Sequence, residues 1–153
     1  MNRRRFALVS GYALLALVAC VSPRRNVGED RRAVEAGLQR YGALIQAMDA
    51  DGVAALFAED GELGTNGQPP HRGRDDIRAY LKSFGNVKVL SDEMTTASID
   101  VAGDSAMARG SYQQTAKVGD DAPVHVHGGF EAVWVRQSDG RWLIKRMTAF
   151  PEA

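Results

Sequence analysis

The apolar residues of this chain change their spacing at Gly85. Before it they recur every three or four positions; after it they alternate. Val34, Leu38, Tyr41, Ile45 and Met48 form one stripe of a helix. The spacing starts this helix at Glu29, with Glu29 and Asp30 where the helix dipole favours anions. Gly37 and Gly42 each weaken it by up to about 1 kcal/mol relative to alanine. Either packing compensates, or something approaches the backbone closely there. A second, short helix is expected from Asp51, a good N-cap, carrying Val53, Leu56 and Phe57 and stopped by Gly61. Glu62, Leu63 and Gly64 read as a short strand, and residues 65–73 are turn chemistry. A third helix is predicted from about Arg74 to Phe84, with Ile77, Tyr80, Leu81 and Phe84 as its stripe.

Everything after Gly85 reads as strand. Thr95, Ala97, Ile99 and Val101 alternate with polar residues, which puts those four on one face. On the next strand Ala106, Ala108, Gly110, Tyr112, Gln114 and Ala116 share a face, with Met107, Arg109, Ser111, Gln113 and Thr115 opposite. Further strands run from Val124 to Arg136 and from Trp142 to Phe150, joined by a Ser138-Asp139-Gly140 turn. Gly128 and Gly129 are placed to bulge and bend their strand. Phe130 and Trp134, four apart, share its core side. Three helices followed by a long meander predict an α+β domain, with the helices on one face of a strongly curved antiparallel sheet. Such a sheet encloses a cone with a pocket. The chain's 153 residues, 44% of them apolar, suit one such domain. Its 19 basic and 19 acidic side chains give no footprint for nucleic acid.

The first twenty residues, MNRRRFALVSGYALLALVAC, stand outside this pattern. Three arginines precede a run from Phe6 to Ala19 that is too short for the roughly 20 residues of a membrane-spanning helix. A basic head, a short apolar run and small residues at its end read as a secretory signal over residues 1–19. Leu17-Val18-Ala19-Cys20 resembles the bacterial lipobox. That resemblance implies cleavage before Cys20 and lipidation of its thiol, an anchor that needs no transmembrane helix. Residues 20–28 then form the lipidated cysteine and a polar tether, and residues 29–153 the domain. The implied location is the bacterial cell envelope, with the domain in the periplasm. Val21, in place of an aspartate, favours the outer membrane over the inner. The Arg3-Arg4-Arg5-Phe6 start also resembles a twin-arginine export signal. Removing residues 1–19 leaves 16 basic against 19 acidic side chains, a formal charge of −3.

The order of motifs in the mature chain resembles the nuclear transport factor 2-like superfamily, in its SnoaL-like branch. The matching pieces are Tyr41, Asp49 and Phe57-Ala58-Glu59-Asp60-Gly61, then Arg72-Gly73-Arg74-Asp75-Asp76-Ile77 and Gly103-Asp104-Ser105-Ala106. Gly129-Phe130, Trp134 and Asp139-Gly140-Arg141-Trp142-Leu143-Ile144 complete the set. The resemblance implies a cone-shaped, cystatin-like roll. It leaves function open, because the superfamily hosts isomerases, cyclases, dehydratases, carriers and dimerisation modules.

Against the ketosteroid isomerase pattern, Tyr41 falls where that family has its oxyanion-hole tyrosine. The family's base carboxylate falls on Thr65, whose hydroxyl does not titrate usefully. Its second acid falls on Phe130 or on Glu131, which faces outward if Phe130 and Trp134 face inward. The isomerase mechanism therefore looks absent. The expected ligand-contacting residues are Tyr41, Thr65, His71, Tyr112, Gln114, Phe130 and Trp134. Tyr41 and His71 are the catalytic candidates if chemistry occurs, with Glu62 or Glu131 as acidic helpers. The small residues beside Tyr112 and Gln114 serve either a pocket or close packing of helix on sheet. His125 and His127 share a strand face, but a zinc site needs further ligands, so neither metal nor cofactor is expected.

Three functions follow. The first is a lipid-anchored domain that binds a small, largely apolar ligand without chemistry; a cavity lacking any buried titratable group would support it. The second is an acid–base enzyme of isomerase, cyclase or dehydratase type. The third is a structural module that forms a homodimer through the outer sheet face around Met107, Arg109 and Gln113. The expected partners are thus a small-molecule ligand, the membrane through Cys20, and a second copy of the chain.

Overall fold

The computed structural model describes residues 26–152. The signal sequence, Cys20 and most of the tether lie outside the described residues. Helix α1 (Val27–Gln46) starts two residues before Glu29. Asn26 caps it, its side chain accepting hydrogen bonds from the backbone N–H groups of Gly28 and Glu29. Met48, at φ 52°, turns the chain from α1 towards α2 (Ala50–Leu56). The cap of α2 is Asp49, which accepts from Gly52 N–H at 2.9 Å. Among the described residues, no helix is long and apolar enough to cross a membrane.

Phe57, expected in the second helix, begins strand β1 (Phe57–Thr65), which is longer than the three residues expected. Part of the expected turn, His71–Arg72, is a two-residue strand, β2, paired with Glu62 and Leu63. Helix α3 (Gly73–Lys82) follows, then β3 (Val87–Ala102), β4 (Ser105–Val118), β5 (Val124–Arg136) and β6 (Trp142–Pro151).

The fold is α+β, with helices packed against one six-stranded sheet in the order β2-β1-β6-β5-β4-β3. The sheet is mixed and not purely antiparallel, because β1 pairs with β6 in parallel. That pair joins the two ends of the strand sequence, where no hairpin dictates direction. The core gathers Val34 and Leu38 of α1, Val53, Phe57, Ile77, Ala108, Trp134 and Ile144, each at most 1% exposed.

Close approach to the helix is the answer at Gly37 and Gly42. A Cβ on Gly37 would lie 2.5 Å from the Trp134 ring, and one on Gly42 would lie 3.1 Å from an Asp92 carboxylate oxygen. Gly128 and Gly129 do not bulge: the β4–β5 ladder runs through them without a break. The irregularities lie elsewhere, at Val89/Ser91 and Thr96/Ser98 of β3 against β4, at Val133/Trp134 of β5 against β6 and at Phe57/Glu62 of β1 against β6.

The two bulges of β3 decide which side chains face the helices. Val87 and Val89 face inward. After the first bulge Asp92, Met94 and Thr96 do so, and after the second Ile99 and Val101. Thr95 and Ala97, expected on the face of Ile99 and Val101, are therefore exposed. Each bulge adds one residue and inverts the two-residue alternation.

At the start of α1, Asp30 is 7% exposed. It pairs with Arg136 at the end of β5, and Trp142 Nε1 donates to it at 3.4 Å. The Arg136 guanidinium lies 4.7 Å from the centre of the Trp142 ring. This polar cluster ties the N-terminal end of α1 to the β5–β6 turn.

Candidate functional site

The other end of α1 opens onto a cavity of about 320 Å³. Its wall includes Tyr41, Ile45 and Met48 from α1 and its end, Tyr80 and Leu81 from α3, and side chains from five strands. Strands as far apart in the sheet as β1 and β3 meet around one space, so the sheet curves into the expected cone. Position along β4 resolves the alternatives left open there. Ala106 and Ala108 pack closely under the helices, while Tyr112 and Gln114, farther along, line the cavity.

Five of the seven expected contact residues line this space: Tyr41, Thr65, Tyr112, Gln114 and Phe130. Trp134 does not. It is 1% exposed and lies in the core against Gly37, three rows of the sheet from Tyr112. His71 is also outside the lining. Its ring stacks on Tyr80 at 3.9 Å, and Tyr80, not His71, faces the cavity. Asp76 holds His71 in place from behind, with Nδ1 to Oδ1 at 3.4 Å.

Neither acidic helper reaches the cavity. Glu62 precedes the inward Leu63 and is held by Arg72 at 2.8 Å and Arg146 at 3.2 Å. Glu131 pairs with Arg109 at 3.0 Å on the outer face. His125 and His127 pair in register with Thr115 and Gln113, which places them on that outer face too. Among the described residues, no set of three acidic, histidine or cysteine side chains is placed to hold a metal.

The cavity carboxylate is Asp92, which the sequence reading passed over. Gln114 Nε2 donates to its Oδ1 at 3.1 Å. Burial raises the Asp92 pKa, and the Gln114 hydrogen bond opposes that shift in part. Tyr41 is packed edge-on to Phe57 at 6.4 Å. Burial, and then the nearby Asp92 charge, push its hydroxyl well above the ordinary tyrosine range. Tyr112 is shifted upward by burial, Asp92 and Glu152. The cavity thus joins a large apolar surface to one carboxylate, one amide and several phenolic hydroxyls. It holds a titratable carboxyl, whereas a pure binding domain is expected to have no buried titratable group in its cavity. That group is partnered by an amide and not by a base.

Residues 27–148 match the family model described as SnoaL-like domain. Among curated proteins none matches closely enough in sequence to count as a relative. Solved structures share the fold. A ketosteroid isomerase-like protein from Erwinia carotovora atroseptica is 19% identical, with a TM-score of 0.74 over 82% of this chain and 98% of that one. An NTF2-like protein with a cystatin-like fold from Novosphingobium aromaticivorans is 23% identical, with a TM-score of 0.68 over 81% of this chain and 82% of that one. ActVI-ORFA from Streptomyces coelicolor is 22% identical, with a TM-score of 0.69 over 81% and 98%. At these identities the likeness concerns the fold alone.

Proposed function

The chain belongs to the SnoaL-like domain family, and from that premise we propose that its cone pocket binds a small, largely apolar molecule. The observation that carries this reading is the cavity itself. It is concave and mainly apolar, with a few convergent polar groups at Asp92, Gln114, Tyr41 and Tyr112. Its size sits at the small end of the roughly 300–1,000 Å³ of ligand sites. Ala149 is a small residue of the cavity wall, so Ala149→Trp puts a bulky ring into the space. Native mass spectrometry of the protein from its own envelope should show a retained ligand that this variant lacks. A wild-type protein that takes up no apolar probe, and no more than A149W, would count against the reading.

The same proposal places the domain on a membrane through Cys20, in the cell envelope. The support is the run of residues from Arg3 to Cys20. Cys20→Ser should abolish incorporation of labelled acyl chains and release the protein from the membrane fraction. Retention of both would remove the anchor.

A second reading, acid–base catalysis, is favoured by Asp92. A carboxyl with a raised pKa beside apolar surface suits proton transfer. In this reading Asp92 takes a proton from the substrate and Tyr41 donates a hydrogen bond to the developing oxyanion. Turnover of an enolisable substrate should fall about 10²–10⁴-fold in Asp92→Asn. Equal turnover by the variant would rule the reading out.

A further inference from the structure

The cavity wall is electrically one-sided. Among the described residues, Asp92 is its one charged side chain, and no lysine, arginine or histidine lines it. The described elements around it give Asp92 no counter-charge. From α1 it faces the bare backbone of Gly42, from β4 it accepts from the Gln114 amide, and its charge acts on the Tyr41 and Tyr112 hydroxyls. Gln114 uses one carboxylate oxygen. The other faces Gly42, where the helix presents no side chain to cover it. Tyr41, Tyr80 and Tyr112 also bring aromatic rings to the wall, and ring faces attract cations.

We propose that the pocket selects a small lipophilic amine, with its ammonium group set against the Asp92 carboxylate and its hydrocarbon part among the apolar lining. This rests on the ligand-binding reading above and narrows it to one chemical class. An ammonium supplies the counter-charge that the protein withholds, in a partly enclosed space where such a pair is stronger than in water. A carboxylate ligand of the same shape meets a like charge and no basic group to pair with. A neutral alcohol gains only a hydrogen bond.

The test uses three probes on one skeleton: cyclohexylmethylamine, cyclohexylmethanol and cyclohexanecarboxylate. Each is titrated calorimetrically into the purified full chain at neutral pH. The amine should bind at least about tenfold more tightly than the alcohol, and the carboxylate should bind most weakly. Amine affinity should also fall as pH drops through the Asp92 titration, because the neutral carboxyl offers no charge. In Asp92→Asn the amine should lose its advantage over the alcohol. The second measurement needs no variant, so a misfolded D92N does not leave the question open. Alcohol binding with no amine preference overturns this inference and leaves the binding reading standing. An amine preference that survives both D92N and low pH also overturns it. Failure of all three probes to bind overturns both.

Discussion

Gln114 donates a hydrogen bond to Asp92 across 3.1 Å, from strand β4 to strand β3, in the wall of a cavity that, among the described residues, no basic side chain lines. The bond orients the carboxylate without neutralising it. It accounts for a half-buried acid whose pKa is raised by burial and only partly drawn back by its partner.

That pair makes stability depend on pH. Because the folded pKa of Asp92 is raised, the folded protein keeps a proton that the unfolded chain has already released. Stability therefore falls as pH rises from the ordinary aspartate range through the folded pKa, and this contribution is flat above it. Asp92→Asn keeps the acceptor for Gln114 and removes the charge. Melting curves from roughly pH 3 to pH 7 should show D92N gaining on the native chain across that window. A difference in Tm that does not change with pH would contradict the environment described for Asp92.

Two tyrosines should titrate late. Tyr41 and Tyr112 both have raised pKa values, Tyr41 by far the more, chiefly through burial. Alkaline titration followed by phenolate absorbance should show a hydroxyl that stays protonated well above about pH 10, the usual tyrosine value. Tyr41→Phe should remove that late step. Its persistence in the variant would mean that Tyr41 is more solvated than its place beside Phe57 and Asp92 implies.

Gly37→Ala should destabilise the protein although alanine is the better helix former. The new methyl would lie 2.5 Å from the Trp134 ring. Overpacking of this kind costs about 1–3 kcal/mol, against a propensity gain of up to about 1 kcal/mol. Urea denaturation measures the sign directly. A more stable variant would show that the Trp134 ring moves aside at little cost.

Arg136→Met should cost about 3 kcal/mol, because it leaves the Asp30 carboxylate buried with only the Trp142 indole as a donor. Asp30→Asn with Arg136→Met should recover part of the loss. Ligand affinity should be unchanged in the double variant. Asp30 lies near the first residue of a 20-residue helix whose far end, from Tyr41 onward, lines the cavity, a separation of at least roughly 16 Å along the helix axis. Denaturation that is insensitive to Arg136→Met would mean that water replaces the guanidinium there.

The sequence by itself determined the class of fold and most of its elements. Helical and alternating periods are local properties, and each turn announces itself in its own residues. The stripe from Val34 to Ile45 and the hairpin at Asp139-Gly140 therefore hold in the structure, while Met48, expected in the same stripe, lies past the end of the helix. Local alternation also placed Tyr112 and Gln114 on the inward face of β4, and the cavity lies there. Only the tertiary structure decided the parity of β3. Its two bulges turn Asp92 inward and Thr95 outward, and no periodicity within the strand marks where an extra residue is inserted. The same limit hid the parallel β1–β6 pair, which depends on ladders between residues more than eighty positions apart. His71 and Trp134 show it for side chains. Both have the chemistry of a binding site. Tyr80 stands between the first and the cavity, and the Gly37 groove holds the second in the core. Spacing along a chain fixes which face a residue takes, whereas which neighbour covers that face is settled only when the sheet closes around the helices.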